Sequence, residues 1–155
     1  MTDLETLDTL PLIAILRGLT PEAARQVAEA KGRLIISPNM DPAVIAEARR
    51  LDLLSLPGIF TPTEAFAALS AGAHALKLFP AEIAGPAGLK ALRAVLPSDA
   101  RLYAVGGVAP DTLADWRRAG ASGFGIGSAL YKPGMGASEV GERALAFVEA
   151  WNAGY

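Results

Sequence analysis

Short apolar runs alternate along the chain with amphipathic, alanine-rich stretches. The apolar runs, which predict strands, are Leu12–Arg17, Leu34–Ser37, Leu53–Leu56, Ala75–Phe79, Leu102–Val105 and Gly123–Ile126. The amphipathic stretches, which predict helices, are Thr20–Ala30, a segment beginning at Asp41, Ala65–Ser70, Ala87–Leu96, Asp111–Ala119 and Glu139–Trp151. A strand followed each time by a helix indicates a parallel α/β protein, because parallel neighbours need a crossover connection.

Three of these helices are preceded by capping residues. Thr20 precedes Pro21, and Asp41 is followed by proline in the same way, which matches an N-cap side chain with proline at the first helical position. Thr61 and Glu64 have the spacing of a capping box, in which each side chain accepts a hydrogen bond from the other residue's backbone. The capping residues therefore predict helix starts independently of the apolar pattern.

The repeat also predicts the architecture and the place of a ligand site. Strand and helix alternate without a linker or a shift in composition, so residues 1–155 are expected to form a single domain. The units would form either a closed TIM-type (β/α) barrel or an open doubly wound sheet. A full barrel has eight units, whereas six and a C-terminal helix are visible here. In both folds ligands bind at the carboxyl ends of the strands.

Composition excludes several classes of protein. The 155 residues include no cysteine and one histidine, so disulfides, thiolate chemistry and zinc sites built from several histidines are excluded, and no metal or cofactor is expected. A net charge of -2 provides no basic surface for nucleic acid. No apolar run reaches the roughly 18 residues of a membrane span, and the acidic N-terminal residues do not match a secretory signal. We therefore expect a cytoplasmic protein that binds neither nucleic acid nor membrane.

Lys77 is the leading candidate for chemistry. It lies inside the apolar run Ala75–Phe79, and a strand of a parallel sheet is covered on both faces. Burial favours the neutral amine of a lysine over its ammonium form. A neutral amine can attack a ketone to form a Schiff base, which is the first step of class I aldol chemistry. The alternative is a lysine that reaches solvent at the strand end or bonds a carboxylate.

Other candidate residues fall at the predicted strand ends. Arg17 would present a guanidinium that binds a carboxylate or phosphate, or it would form a structural ion pair. Gly106-Gly107 and Gly127-Ser128 follow the last two strands. Barrels bind phosphate at this position through backbone N–H groups, although turn geometry alone also explains such glycines.

Three further titratable residues, Glu64, His74 and Glu82, are of types that take part in catalysis. Glu64 is explained by its place in the capping box. His74 precedes the fourth strand, at the end opposite the expected site, so a structural role is expected. Glu82, in the predicted loop after Phe79, follows Lys77 closely and is a candidate general acid or base.

Several strings in the chain match a known family in order and spacing. These strings are Pro11–Gly18 (PLIAILRG), Ser37-Pro38-Asn39, Pro57-Gly58 with Thr61–Glu64, Lys77–Glu82 (KLFPAE), Val105–Val108 (VGGV) and Ile126–Ser128. On them the chain resembles the KDPG/KHG aldolases, and most of all the 2-dehydro-3-deoxy-6-phosphogalactonate branch. Val105 favours that branch, because gluconate-specific relatives carry threonine there. The resemblance implies a TIM-type barrel, usually a homotrimer, with no cofactor.

The resemblance also implies an activity and a set of site residues. The activity is class I (Schiff-base) cleavage of a phosphorylated 2-keto-3-deoxy sugar acid to pyruvate and glyceraldehyde 3-phosphate. Lys77 matches the Schiff-base lysine, and Arg17 matches the cation that faces the pyruvate carboxylate. The residues that match the substrate pocket and its phosphate cradle are Pro38, Phe79, Val105, Gly106, Gly107, Gly127 and Ser128.

The chain also departs from the family pattern. Near Ala30 and Lys31 the family has two more βα units, so the predicted barrel is internally shortened to six. The missing stretch would carry the family's acid/base glutamate, and such groups typically contribute 10²–10⁴-fold to rate. Two hypotheses follow: a class I aldolase in which Glu82, water or substrate supplies the base, or a catalytically impaired remnant or phospho-ligand-binding barrel. A phosphosugar isomerase or synthase would explain the glycines but not Lys77.

Overall fold

The computed structural model describes residues 20–153, in which strands and helices alternate. The chain divides into two compact units, Met1–Lys77 with Asp99–Arg101, and Leu78–Ser98 with Leu102–Tyr155. The predicted strand Leu12–Arg17 lies outside the described residues. No helix within residues 20–153 is both long and apolar enough to cross a membrane.

The first unit is built from parallel strands and intervening helices. Its helices are α1 (Pro21–Glu29), α2 (Pro42–Arg50) and α3 (Pro62–Ser70), and its strands are β1 (Leu34–Ile36), β2 (Leu54–Leu56), β3 (Gly58–Ile59) and the start of β4 (Leu76–Leu78). Strands β1 and β2 pair in parallel with Ile35 opposite Ser55, and β3 neighbours β4. Every residue of these strands is buried, as expected for parallel strands covered on both faces.

The predicted capping residues begin all three helices of this unit. The Thr20 side chain accepts a hydrogen bond from the first turn of α1 at 3.2 Å, and Asp41 does the same for α2 at 2.9 Å. At α3, Thr61 Oγ1 accepts from the Glu64 N–H at 3.3 Å, while Glu64 Oε2 accepts from the Thr61 N–H at 2.8 Å. The three predicted starts are confirmed, because capping depends on residues adjacent in sequence.

Helices α1 and α2 pack directly against each other. Their shared buried cluster consists of Ala24, Ile35, Ala48 and Leu53. At its edge Glu47 accepts hydrogen bonds from Arg50 at 2.8 Å and from Arg25 at 2.7 Å. Hydrogen bonding to Arg50, followed by that to Arg25, lowers the pKa of Glu47 to about 2. The first helix is therefore joined to the helix that follows the Ala30-Lys31 junction.

The second unit contains the last two strands. Its elements are α4 (Ala81–Arg93), β5 (Leu102–Val105), a 3₁₀ turn (Pro110–Thr112), α5 (Leu113–Arg118), β6 (Gly123–Gly125) and α6 (Ala137–Ala153). Strands β5 and β6 pair in parallel, so their carboxyl ends lie at the same edge. Helix α6 is held by Trp151, whose ring stacks under the Arg117 guanidinium at 4.1 Å and meets Phe124 edge-on at 5.8 Å.

The helix expected over Ala87–Leu96 is present as the second part of α4. Gly85, with φ 64° and ψ 173°, is non-helical, so the predicted helix follows it from Pro86 and ends at Arg93, while Ala81–Ala84 form a separate helical turn before the kink. Glu82, expected in a loop, therefore lies in the first turn of α4.

Two smaller predictions also differ from the structure. Gly58, which lies beyond the end of the predicted strand Leu53–Leu56, belongs to the short strand β3. The helix expected from Asp111 is a 3₁₀ turn up to Thr112 and becomes α-helical at Leu113, because the proline at position 110 and Thr112 set a tight first turn. In this turn the Thr112 hydroxyl accepts a hydrogen bond from the Ala109 N–H at 3.1 Å.

Candidate active site

Lys77 lies in the middle of β4 and is 2% exposed. Among the described residues, the buried polar or charged side chains are those of Ser37, Ser55 and Lys77. Of these three buried side chains, that of Lys77 carries the ionisable group. The burial predicted for Lys77 is confirmed, and burial disfavours the ammonium form that would prevent nucleophilic attack.

The strand register places Lys77 opposite Gly58. The Lys77 N–H donates to the Pro57 carbonyl oxygen at 3.0 Å, which in a parallel ladder gives this pairing. Ile35, in the cluster covered by α1 and α2, belongs to the separate ladder of β1 and β2.

Pro38 lies beside Gly58, the residue opposite Lys77. A Cβ on Gly58 would stand 2.1 Å from the Pro38 carbonyl oxygen, so this close approach requires glycine at position 58. The Ser37 hydroxyl donates to the Asn39 carbonyl oxygen at 2.7 Å and holds the turn that carries Pro38. The sequence does not reveal this role of Gly58, because a Pro-Gly pair is typical of a turn and does not indicate an approach to a distant carbonyl group.

The two predicted glycine turns follow paired strands of the second unit. Val105 ends β5 and lies opposite the last residue of β6. Gly106 and Gly107 have φ of 102° and 69°, in the left-handed region that favours glycine. Among residues 20–153 no atom lies within 4 Å of the position of a Cβ on Gly127, and Ser128 beside it is exposed. The structure therefore brings both turns to one edge, with open space at the second.

Glu82 packs against the first of these turns. A Cβ on Gly106 would lie 2.3 Å from Glu82 Oε2, and a Cβ on Gly107 would lie 2.4 Å from Glu82 Cβ. The approach of α4 thus explains why both residues are glycine. The candidate acid/base carboxylate lies at the predicted phosphate turn, a contact between distant residues that no local pattern reveals.

The remaining predicted site residues are less informative. Phe79 is half-buried, and its peptide bond to Pro80 is cis. Arg17 lies outside the described residues. Within residues 20–153, no group of three or more acidic or histidine side chains is placed to hold a metal ion.

Glu64 and His74 have structural partners. Glu64 Oε2 accepts from the Phe60 N–H at 2.8 Å, and this bond is the largest of those that lower the pKa of Glu64. Arg49 Nη1 lies 2.8 Å from His74 Nε2, and the Ser55 N–H donates to His74 Nδ1 at 3.3 Å. Burial, followed by the charge of Arg49, lowers the pKa of His74. These contacts support the structural roles expected for both residues.

Comparison with known proteins decides the family. The model of the KDPG and KHG aldolases matches residues 11–142. The chain belongs to this aldolase family. A probable 2-dehydro-3-deoxy-6-phosphogalactonate aldolase of Rhizobium meliloti is 50% identical over 137 residues, which are 88% of this chain and 65% of the relative. The 2-dehydro-3-deoxy-6-phosphogalactonate aldolase of Escherichia coli is 47% identical over 133 residues, 86% of this chain and 65% of the relative.

The fold comparison agrees with the family. A solved structure described as native KDPGal has a TM-score of 0.86 and 46% identity, and the match covers 88% of this chain and 66% of that one. The predicted parallel α/β fold, of the TIM-barrel type of the family, is confirmed. The chain spans 65% of the length of the curated relatives that it matches. That the difference falls near Ala30 and Lys31, and that the chain is a single domain, stay predictions.

Proposed function

We propose that this protein is a class I aldolase that cleaves 2-dehydro-3-deoxy-6-phosphogalactonate to pyruvate and glyceraldehyde 3-phosphate. The observation that carries the proposal is the burial of Lys77, at 2% exposure, in a strand of the family fold. The substrate follows from relatives at 50% and 47% identity that bear this name. It is a proposal because the chain spans only 65% of those relatives.

The proposed reaction starts from the neutral amine of Lys77. Its Nζ attacks the keto carbon C2 of the substrate, and loss of water gives an iminium ion. The C4 hydroxyl then loses its proton as the C3–C4 bond breaks. The bonding electrons move to the iminium to form an enamine, and glyceraldehyde 3-phosphate leaves. Protonation of C3 and hydrolysis of the imine release pyruvate and restore the amine.

Other residues of the chain bind the substrate in this proposal. Arg17 pairs with the carboxylate, since a guanidinium binds a carboxylate bidentately. The pocket is lined by Pro38, Phe79 and Val105, and the phosphate is held by Gly106, Gly107, Gly127 and Ser128. The position of Pro38, beside the residue opposite Lys77, supports the assignment of Pro38 to the pocket. The shared edge of the two glycine turns supports the phosphate site.

The proton on the C4 hydroxyl needs an acceptor. Glu82 is the proposed acid/base group of this chain, with bound water or the substrate itself as the alternatives. A carboxylate in this role typically contributes 10²–10⁴-fold. Glu82→Gln should therefore lower kcat by a factor in this range, with imine formation retained.

Trapping with pyruvate tests the imine step. Pyruvate and borohydride should add one reduced pyruvate to the wild-type mass, at Lys77, and none to Lys77→Met. The matched control is Lys90→Met on α4, an exposed lysine that should leave the adduct unchanged. Absence of an adduct on Lys77 would overturn the aldolase proposal. An adduct without cleavage of the phosphorylated keto acid would instead identify the second candidate, an impaired remnant, which the short length favours.

We also propose that the protein is a cytoplasmic homo-oligomer, a trimer on the family resemblance. A designed cage built by fusing symmetric oligomeric domains contains a chain 45% identical to this one, with a TM-score of 0.86. The absence of cysteine suits a reducing compartment. Sedimentation equilibrium of the full chain should give three times the monomer mass of 16.0 kDa.

A further inference from the structure

The contact between Glu82 and the Gly106-Gly107 turn places a carboxylate where the proposed function places a phosphate. Glu82 Oε2 stands 2.3 Å from the position of a Cβ on Gly106, so it lies against the turn. It also lies 3.2 Å from the position of a Cβ on Gly107. A phosphate bound at this turn would therefore lie beside the Glu82 carboxylate.

The Glu82 side chain is able to leave this position. It is exposed, and within residues 20–153 its carboxylate has no hydrogen-bond or ion-pair partner. The contact with Gly106 is made by the far end of the side chain, whereas the contact with Gly107 is made by Cβ. Rotation of the side chain would therefore clear Gly106 without moving α4. Open space beside Gly127 remains available on the neighbouring strand end.

We propose that Glu82 determines the anion affinity of the Gly106-Gly107 turn, by competing there with the phosphate of a phosphate monoester. The turn takes the phosphate once the Glu82 side chain has rotated off Gly106, and repulsion between the two anions weakens binding. This inference rests on the proposed function, which assigns the turn to phosphate. Glu82 then sets the selectivity of the site between phosphorylated and uncharged ligands.

Titration with inorganic phosphate tests the inference without any turnover. Two unit charges about 4 Å apart in water repel by about one kcal/mol, which predicts roughly fivefold tighter phosphate binding by Glu82→Gln at low ionic strength. The gain should shrink with added salt, because salt screens exposed charges. The control is Glu149→Gln, which removes the same charge from the exposed surface of α6 and should leave the Kd unchanged.

Each outcome separates this inference from the proposed function. Tighter binding by Glu82→Gln, but not by Glu149→Gln, supports competition at the turn. Equal Kd values for wild type and Glu82→Gln overturn the inference but leave a phosphate site at the turn. Weaker binding by Glu82→Gln also overturns it, because the carboxylate would then assist the ligand. No phosphate binding by any variant overturns both the inference and the proposed phosphate site.

Discussion

Alanine substitutions at the glycine turns test how closely α4 approaches β5. In Gly107→Ala the new Cβ would stand 2.4 Å from Glu82 Cβ and 3.3 Å from Glu82 Cα, atoms that move only with the helix. In Gly106→Ala the obstacle is Glu82 Oε2, which is the free end of a flexible side chain. In Gly127→Ala the described part of the chain places nothing within 4 Å of the new atom. The three variants thus add the same methyl group in three settings: against atoms that cannot move alone in Gly107→Ala, against a movable side-chain end in Gly106→Ala, and into open space in Gly127→Ala.

The expected costs follow from backbone strain and overpacking. Gly106 and Gly107 have φ of 102° and 69°, where an alanine costs about 1–2 kcal/mol. Overpacking against a fixed atom adds about 1–3 kcal/mol. Gly107→Ala should therefore lower the free energy of unfolding by about 2–5 kcal/mol, and Gly106→Ala by about 1–2 kcal/mol. Gly127→Ala should stay within about 0.5 kcal/mol of wild type.

Urea unfolding followed by circular dichroism measures these differences, and Glu82→Ala provides a second background. That change removes Oε2 but keeps Cβ. It should relieve any contact penalty in Gly106→Ala and none in Gly107→Ala. The reasoning is refuted if Gly107→Ala is as stable as Gly127→Ala, or if Glu82→Ala rescues Gly107→Ala.

Three further predictions concern the first unit. Gly58→Ala should lower the free energy of unfolding by about 3 kcal/mol or more in urea, because its Cβ would lie 2.1 Å from the Pro38 carbonyl oxygen; a neutral result would contradict that contact. Thr61→Ala should lower the free energy of unfolding by about 1 kcal/mol. In a double-mutant cycle with Glu64→Gln the two costs should not add, and additive costs would show that the two side chains do not interact. The lowered pKa of His74 means that the folded chain binds this proton less readily than the unfolded one, so stability should be complete above the ordinary value of 6.5 and fall as pH drops below it. His74→Gln should flatten the stability profile between about pH 7 and 5, and an unchanged profile would exclude His74 as its cause.

Features that depend on neighbouring residues were predictable from the sequence. The starts of α1, α2 and α3 follow from Thr20, Asp41 and Thr61, whose side chains bond the first turn of the helix that they precede. The burial of Lys77 follows from an apolar run too short for a helix and typical of a parallel strand. In these cases residues close together in the sequence carry the signal.

Features that depend on distant residues were not predictable. The helical turn Ala81–Ala84 was not predicted, because the kink at Gly85 separates it from the helix that follows and four residues are too few to show a helical period. The glycine at position 58 is required by a carbonyl twenty residues earlier, at Pro38. The contact of Glu82 with Gly106 likewise joins the first turn of a helix to the end of the following strand. Such contacts exist only once the strands have paired.

The proposed chemistry separates into two parts that are testable independently. Imine formation with pyruvate needs the buried amine of Lys77 and no phosphate site, because pyruvate carries no phosphate. Phosphate binding needs the Gly106-Gly107 and Gly127-Ser128 turns and no amine. A chain that spans 65% of its relatives has no assurance of retaining both. Trapping without phosphate binding would mean that the chain captures keto acids without selecting phosphorylated ones, and the reverse result would leave a phosphate-binding protein of aldolase fold.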